Sequence, residues 1–297
     1  MLQPVNQWRV HIGLHRTATT NLQDTLALVR DQLREHGVDY PTRTMLRKTN
    51  LVDKYFRRSG LGALLPEAYY RAQFHTKLNR MRTGPTTLLF SEEQWVGKVR
   101  HIMDQPCYQQ LDQRVAGLIR CIGTQNVTLF LSVREYSAIF SSAYSQALRM
   151  GNTFAKNYFD IACQKAVTEP PDWLNLVRRV KAAAPGVTLR IWTFEDYIRD
   201  CKPILDAYTG ITLPSWPKLD APESTRGISV ETLQEIQEIT TKVSKDTRHS
   251  IIRRLVALDK GTSKLDPFSA DAKAKLKARY AQDLQTIEQE NPGIFIR

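Results

Sequence analysis

The sequence predicts an α/β fold, a parallel sheet flanked by helices, with a helical C-terminal extension. Three observations predict it: four apolar runs of strand length are separated by helix-length stretches, the runs are continuously apolar rather than alternating, and the pattern after residue 203 turns mostly helical. Continuously apolar strands are those covered on both faces, as in parallel sheets. The chain has 297 residues, 42% hydrophobic and 24% charged. That is enough for one large domain with a sizeable core, and it excludes a disordered chain.

The first strand is expected at residues 9–14 (RVHIGL), running into a turn and then a helix whose apolar face carries Leu22, Leu26, Val29 and Leu33. Gly37 marks the end of that helix as the residue after its cap. Residues 37–41 (GVDYP) supply one more short strand. The segment 42–82 reads as basic and helical. The runs TTLLFS at 86–91, VTLFLSV at 127–133 and TLRIWT at 188–193 give the remaining strands. Pro214, Pro217 and Pro222 mark a loop, beyond which the longest helices are expected at 230–243 and 270–290. With no internal repeat in the sequence, 1–297 read as a single α/β domain and 228–297 as its helical C-terminal extension.

No stretch approaches the ~18 apolar residues of a membrane span. The opening MLQPVNQWRV lacks an apolar signal-like core. Both features predict a soluble, cytoplasmic chain with no transmembrane segment. Cys107, Cys121, Cys163 and Cys201 are scattered, with no CxxC pair, so free thiols in a reducing compartment are expected rather than a zinc site. The formal net charge is +12, which admits nucleic acid, a membrane surface or a small polyanionic ligand as partner. Its distribution narrows the choice. Between Thr42 and Arg82 lie ten basic residues and two acidic ones, a net +8. That segment carries no recognition helix, zinc finger or RNP-like aromatic motif, so no nucleic-acid partner is expected.

The segment HIGLHRTATTNLQ at 11–23 joins the first strand to its helix. A strand that turns directly into a helix leaves backbone N–H groups at the positive end of the helix dipole, an anion site by construction. His15, Arg16, Thr17, Ala18, Thr19 and Thr20 are its candidate anion-binding residues, with Arg16 supplying a fixed charge and the threonines hydroxyls. Against the P-loop pattern GxxxxGK[ST], Gly13 and Thr20 fit, but Ala18 replaces the second glycine and Thr19 the lysine. Ala18 is expected to avoid positive φ. The alternative is an ordinary cap with a solvated arginine. His11 is expected as a packed core histidine and His15 as a loop histidine, solvated or donating to the anion.

HIGLHRTATTNLQ resembles the 5′-phosphosulfate loop of bacterial-type sulfotransferases that use 3′-phosphoadenosine 5′-phosphosulfate (PAPS), whose opening is HIGxHKTGTTxLQ-like. The resemblance implies a P-loop-NTPase-like sheet, PAPS as co-substrate with no metal, and a bacterial cytoplasmic setting. It gives Arg16, in place of the family's lysine, the role of neutralising the leaving phosphate. After the strand at 127–133, Arg134 and Ser142 stand eight residues apart and Tyr144 follows. This is similar to the family's 3′-phosphate motif R-x-P-x5-S-x-Y, with Tyr136 in place of proline. Read without the family, Arg134 is an ion pair with Glu135 and Ser142 is back-bonded in its helix. After the strand at 86–91 come Glu92, Glu93 and Trp95. Ser91, Glu93 and Trp95 resemble an S-x-E-x-(apolar) context, which makes Glu93 the base that accepts the acceptor's proton. Glu92, one residue away, remains an alternative, as do His75 and His101. Without catalysis the same residues read as a helix start capped by Ser91.

The stretches WTFEDY at 192–197 and ILDAYTGI at 204–211 look like the family's YEDL…FLGI region, where Glu195 or Asp196 caps a helix. Ser224, Thr225, Arg226 and Gly227 correspond to a loop that closes over the nucleotide. The acceptor implied is a hydroxylated glycan, lipid-linked sugar or small metabolite, and the net +8 of 42–82 beside Glu93 predicts that it is anionic or presented on an anionic surface. Monomer and homodimer both remain open. The rival readings are a P-loop kinase-like protein, which lacks the lysine at Thr19, a nucleic-acid binder, and a degenerate PAPS-binding protein.

Overall fold

A computed structural model describes residues 4–56, 65–104, 106–149, 156–219, 228–240, 242–259, 263 and 266–297. Its strands β1 (Gln7–His11), β2 (Val38–Asp39), β3 (Thr87–Ser91), β4 (Val127–Val133) and β5 (Thr188–Thr193) form an all-parallel sheet in the order β2–β3–β1–β4–β5. The α/β architecture expected from the continuous apolar runs is therefore the one observed. From β1 the chain moves to the β2–β3 side and then returns to β4 on the other. The carboxyl end of β1 is thus the topological switch point, where open α/β sheets take their ligands. His11 faces Ser91 on β3 and Phe130 on β4, so three strand ends lie side by side there.

Helices α1 (Thr19–Leu28) and α2 (Arg30–Glu35) connect β1 to β2. Helices α3 (Arg43–Thr49), α4 (Leu51–Phe56) and α5 (Glu67–Met81) lead to β3, and α6 (Leu111–Ile122) to β4. Then come α7 (Tyr136–Arg149), α8 (Lys156–Thr168) and α9 (Trp173–Ala183) before β5. After β5 follow α10 (Phe194–Arg199), α11 (Lys202–Thr209), α12 (Val230–Thr240), α13 (Lys245–Leu258) and α14 (Ala270–Glu290).

Successive strand residues point to opposite faces, and the sheet separates two cores accordingly. Val10, Leu88, Phe90, Leu129 and Leu131 pack with Leu78, Leu118 and Val177 on one face. Leu89, Phe130 and Trp192 pack with Leu22, Leu26 and Tyr208 on the other.

Several expectations are corrected. The first strand ends at His11, because residues 12–14 already belong to the turn, where Gly13 has φ 27. The single helix expected after it breaks at Val29 (φ −102, ψ 15) into α1 and α2. Gly37 follows the cap of α2 with φ 77, as expected. The helix expected at 230–243 ends at Thr240, whereas that at 270–290 is found over the expected span. Leu276, Tyr280 and Ile287 of α14 belong to the larger core, and residues 294–296 return to the sheet. There Ile191 N donates to Ile294 O (2.9 Å) and Ile296 N to Ile191 O (2.7 Å). Among the described residues, no helix is long and apolar enough to cross a membrane.

Candidate active site

The turn from β1 into α1 packs three residues of positive φ into a short span: Gly13 (27°), Arg16 (68°) and Ala18 (64°, ψ 18°). Ala18 therefore contradicts the expectation that it avoids the left-handed region. A turn this tight requires left-handed residues whichever side chains occupy them, and Arg16 and Ala18 adopt that backbone at a cost in strain. Ala18 is the N-cap of α1, with no side-chain cap and no acid in the first turn. The positive end of this helix thus faces the switch point uncapped, as an anion site requires.

The hydroxyls divide. Thr17 Oγ1 donates to Leu14 O (2.7 Å) and touches Ser132 Oγ (2.5 Å). Thr19 Oγ1 donates to Leu14 O (3.4 Å). Both side chains are buried, at 2% and 3% exposure, so these two hydroxyls hold the loop from inside rather than face a ligand, which corrects the expectation for them. Thr20, half-buried, accepts from Arg43 Nη1 (3.4 Å). His15 is buried rather than solvated. Its backbone N–H donates to Tyr108 Oη (3.2 Å), and its Nδ1 lies 3.0 Å from the same hydroxyl. Burial, with His101, Arg16 and Arg47 adding to it, pushes His15 down to about 3.

Arg16, Arg134 and Ser142 come together across β1 and β4. Arg134 Nη1 donates to Arg16 O (2.8 Å), while Arg16 Nε donates to Ser142 Oγ (2.7 Å) and Nη1 to Gln146 Oε1 (3.3 Å). The Arg134 guanidinium stacks 3.9 Å over the Phe194 ring, and its buried Nε has no hydrogen-bond partner among the described residues. The charges of Glu195 and then Glu135 act on Arg134, but no hydrogen bond joins Glu135 to it among the described residues. Glu135 turns to α7, accepting from Ser137 N and Ala138 N (both 2.9 Å), and it is Ser141, not Ser142, that donates back to Ser137 O (2.9 Å). Tyr144 is buried in the core, as is Tyr136, whose hydroxyl accepts from Trp173 N (2.9 Å). In the WTFEDY stretch, Thr193 caps α10 by accepting from Asp196 N (2.9 Å) and donates to Asp196 Oδ2 (2.7 Å). Glu195 instead accepts from Glu135 N (3.1 Å) and Tyr280 Oη (2.9 Å).

At the end of β3, the cap of the short 3₁₀ turn Glu93–Trp95 is Glu92, which accepts from Gln94 N (3.2 Å). Ser91, expected as that cap, is buried against His11 instead. Glu92 is 2% exposed, and burial, reinforced by Glu93, raises its carboxyl to about 7. Glu93 is also raised by burial, with Arg47, Arg16 and Arg43 opposing the shift. Arg47 Nη2 stands 3.7 Å from Glu93 Oε1, and Arg43 Nη2 3.3 Å from Asp24 Oδ1. Thus two arginines four residues apart on α3 flank the carboxylate and the loop. The rest of the basic segment disperses. Arg82 is buried and donates to Pro85 O (3.0 Å), while Arg71 lines a cleft with Glu67 and Arg120. Arg57 and Arg58 lie outside the described residues. His75 sits against Trp8, at the opposite end of β1 from Glu93, which removes it as a substitute base. His101 lies close enough to His15 to depress its pKa and stays near the site.

Arg226 and Gly227, with Ser224 and Thr225, lie outside the described residues. Residues the sequence reading missed are Tyr108, Ser132, Gln23 and Gln146, together with Arg43 and Arg47 as individuals. The i, i+4 spacing of the two arginines was the one visible signal. The others are brought in by the fold. Among the described residues, no group of three or more His, Cys, Asp or Glu side chains is arranged to hold a metal ion.

The fold and these loops define an open, all-parallel α/β protein with its polar and charged groups gathered at the switch point. No protein-family model and no curated protein matches the sequence. Among solved structures, the chain is similar to a sulfotransferase from Alicyclobacillus acidocaldarius, at 13% identity and TM-score 0.43, covering 86% of this chain and 97% of that one. It is also similar to retinol dehydratase in a complex with retinol and PAP, at 11% identity and TM-score 0.34, covering 100% and 84%. At these scores neither likeness bears on what the site does.

Proposed function

We propose that this chain is a PAPS-dependent sulfotransferase acting on a hydroxylated, anionic acceptor, with residues 1–297 working as one unit. The observation that carries the reading is the uncapped, acid-free start of α1 at the switch point, with Arg16 and Arg134 joined beside it and a carboxylate pair on the neighbouring strand end. The residues fit a nucleotide bearing two separated anionic ends. The helix start and Arg16 suit the phosphosulfate, and the buried Nε of Arg134, without a partner among the described residues, together with Ser142 suits the 3′-phosphate. PAPS supplies the activated sulfuryl group, and the fixed donors need no metal to carry its charge.

The chain's own residues do the rest. Arg16 holds the leaving phosphate, and the backbone of residues 15–20 orients the phosphosulfate. Glu93 takes the proton of the acceptor hydroxyl as the sulfuryl group moves to its oxygen. Glu93 is preferred to Glu92, which is more deeply buried and occupied as a cap. Arg43 and Arg47 face the space beside Glu93 and suit an acceptor carrying its own negative charge. The kinase-like rival is disfavoured, because Thr19, at the position of the missing lysine, points into the loop.

Two measurements test the reading. In calorimetry, adenosine 3′,5′-bisphosphate binds at least about tenfold tighter than adenosine 5′-monophosphate, a difference of about 1.4 kcal/mol. Equal affinities would remove the 3′-phosphate site at Arg134. For the base, Glu93→Gln lowers turnover by about 10²-fold or more while leaving bisphosphate affinity within about twofold. Full activity in that variant moves the role to another group.

A further inference from the structure

We infer that His11 is a positioning residue: its imidazole, fixed as the Nε2–H tautomer, is the central link of a one-directional hydrogen-bond chain that ties the anion loop to the turn bearing Glu93. The inference rests on the proposed function only in taking the 12–18 loop to hold an anion. The link itself is read from geometry.

The chain runs across three strand ends. Gln23 Nε2 approaches Ser91 Oγ (3.4 Å), and Ser91 Oγ lies 3.0 Å from His11 Nδ1. His11 Nε2 lies 3.2 Å from Ser132 Oγ, and Ser132 Oγ 2.5 Å from Thr17 Oγ1, which donates to Leu14 O at 2.7 Å. His11, Ser91 and Ser132 are all fully buried.

The two ends set the polarity. An amide nitrogen only donates, a carbonyl only accepts, and a hydroxyl has one proton to give. Thr17 gives its proton to Leu14 O, so Ser132 must donate to Thr17. Ser132 Oγ is then free to accept, and His11 Nε2 must carry the proton it accepts. A neutral ring has one N–H, so Nδ1 is bare and accepts from Ser91, whose oxygen in turn accepts from Gln23. Every proton points from β3 toward the loop. Burial keeps the ring neutral, holding His11 down to about 3.

Two further contacts, one of the ring and one of the backbone, place His11 beneath both halves of the site. A Cβ added at Gly13 would lie 2.8 Å from His11 Cε1, so the loop backbone rests directly on the imidazole. The His11 carbonyl accepts from Glu92 N (3.1 Å), so the same residue anchors the start of the Glu93 turn. Strained backbone at Arg16 and Ala18 persists only where its surroundings over-determine it, and Thr17, held by the chain, lies between the two.

The test begins with histidine ¹⁵N spectra of the full-length protein. His11 should show the Nε2–H tautomer and no protonation between about pH 5 and 8, a range in which a free imidazole titrates. A Nδ1–H tautomer overturns the inference whatever any variant does. The second part measures adenosine 3′,5′-bisphosphate affinity by calorimetry. Gln at position 11 can place an amide donor near the Nε2 position, whereas Asn cannot. His11→Gln should therefore stay within about threefold of wild type, while His11→Asn and Ser132→Ala each lose about tenfold, and the double variant loses no more than either single one. Additive losses, or a glutamine variant as impaired as the asparagine one, overturn the positioning role. If the wild-type chain shows the expected tautomer but binds no bisphosphate, the nucleotide reading falls and the hydrogen-bond order stands.

Discussion

Glu92, His11 and His15 are buried and held neutral, but their contributions to stability run in opposite directions with pH. The Glu92 carboxyl is raised from 4.5 to about 7. Its contribution is therefore full below about pH 4.5 and is lost as pH climbs through 7. The two imidazoles are lowered from 6.5 to about 3, so theirs is full above 6.5 and is lost as pH falls. Between pH 6.5 and 4.5 the native state holds about one proton more at Glu92 than the unfolded chain does, and each such proton is worth about 1.4 kcal/mol per pH unit. Removing it in Glu92→Gln takes away the group that resists acid. Relative to wild type, this variant should lose an additional 1.4 kcal/mol or so per pH unit on acidification from 6.5 to 4.5, read from urea midpoints. Parallel pH profiles for the two proteins would show that Glu92 titrates normally.

The turn leading into α1 decides the character of the site. Ala18 sits at φ 64 and ψ 18, a conformation that costs an L-residue roughly 1–2 kcal/mol. Glycine removes that strain but adds roughly 0.4–1 kcal/mol of unfolded-state freedom. Ala18→Gly should therefore stabilise the protein by about 0.5–1 kcal/mol, measured in denaturant, and a destabilised variant would mean that the alanine methyl does packing work that outweighs the strain. This turn also marks the limit of reading by letters. The motif carried the position of the left-handed residue faithfully, but the argument from the alanine side chain reversed its conformation, because tertiary constraint overrode local preference. The opposite happened at Gly37, where local preference and context agree. Helix α3 was visible only as part of a basic, helical segment without bounds of its own. Which of its arginines reach Glu93 and the loop is set by the helix face, and the 3.6-residue period puts Arg43 and Arg47 together there.

Across the whole molecule, strand content and parallel sense were legible from the sequence because continuous apolar runs have few other uses in a chain of this length. The strand order was not, since nothing local records that β3 rather than β2 lies beside β1. That order is what puts Ser91, His11 and Ser132 in one line and brings Arg16 to Ser142 across 126 residues of sequence. The inward turn of Thr17 was equally hidden, because its partner Ser132 arrives on β4.

The return of residues 294–296 to Ile191 also bears on how the chain is made. At its β2 end the sheet finishes in a strand of two residues, too short to template much pairing. At its β5 end, the N–H and C=O of Ile191 are both taken by residues 294–296, about a hundred positions later in the sequence. During translation Ile191 is open until residues 294–296 have been made, so nascent chains on neighbouring ribosomes have a window in which to pair through this edge. The window closes only when residues 294–296 dock on Ile191.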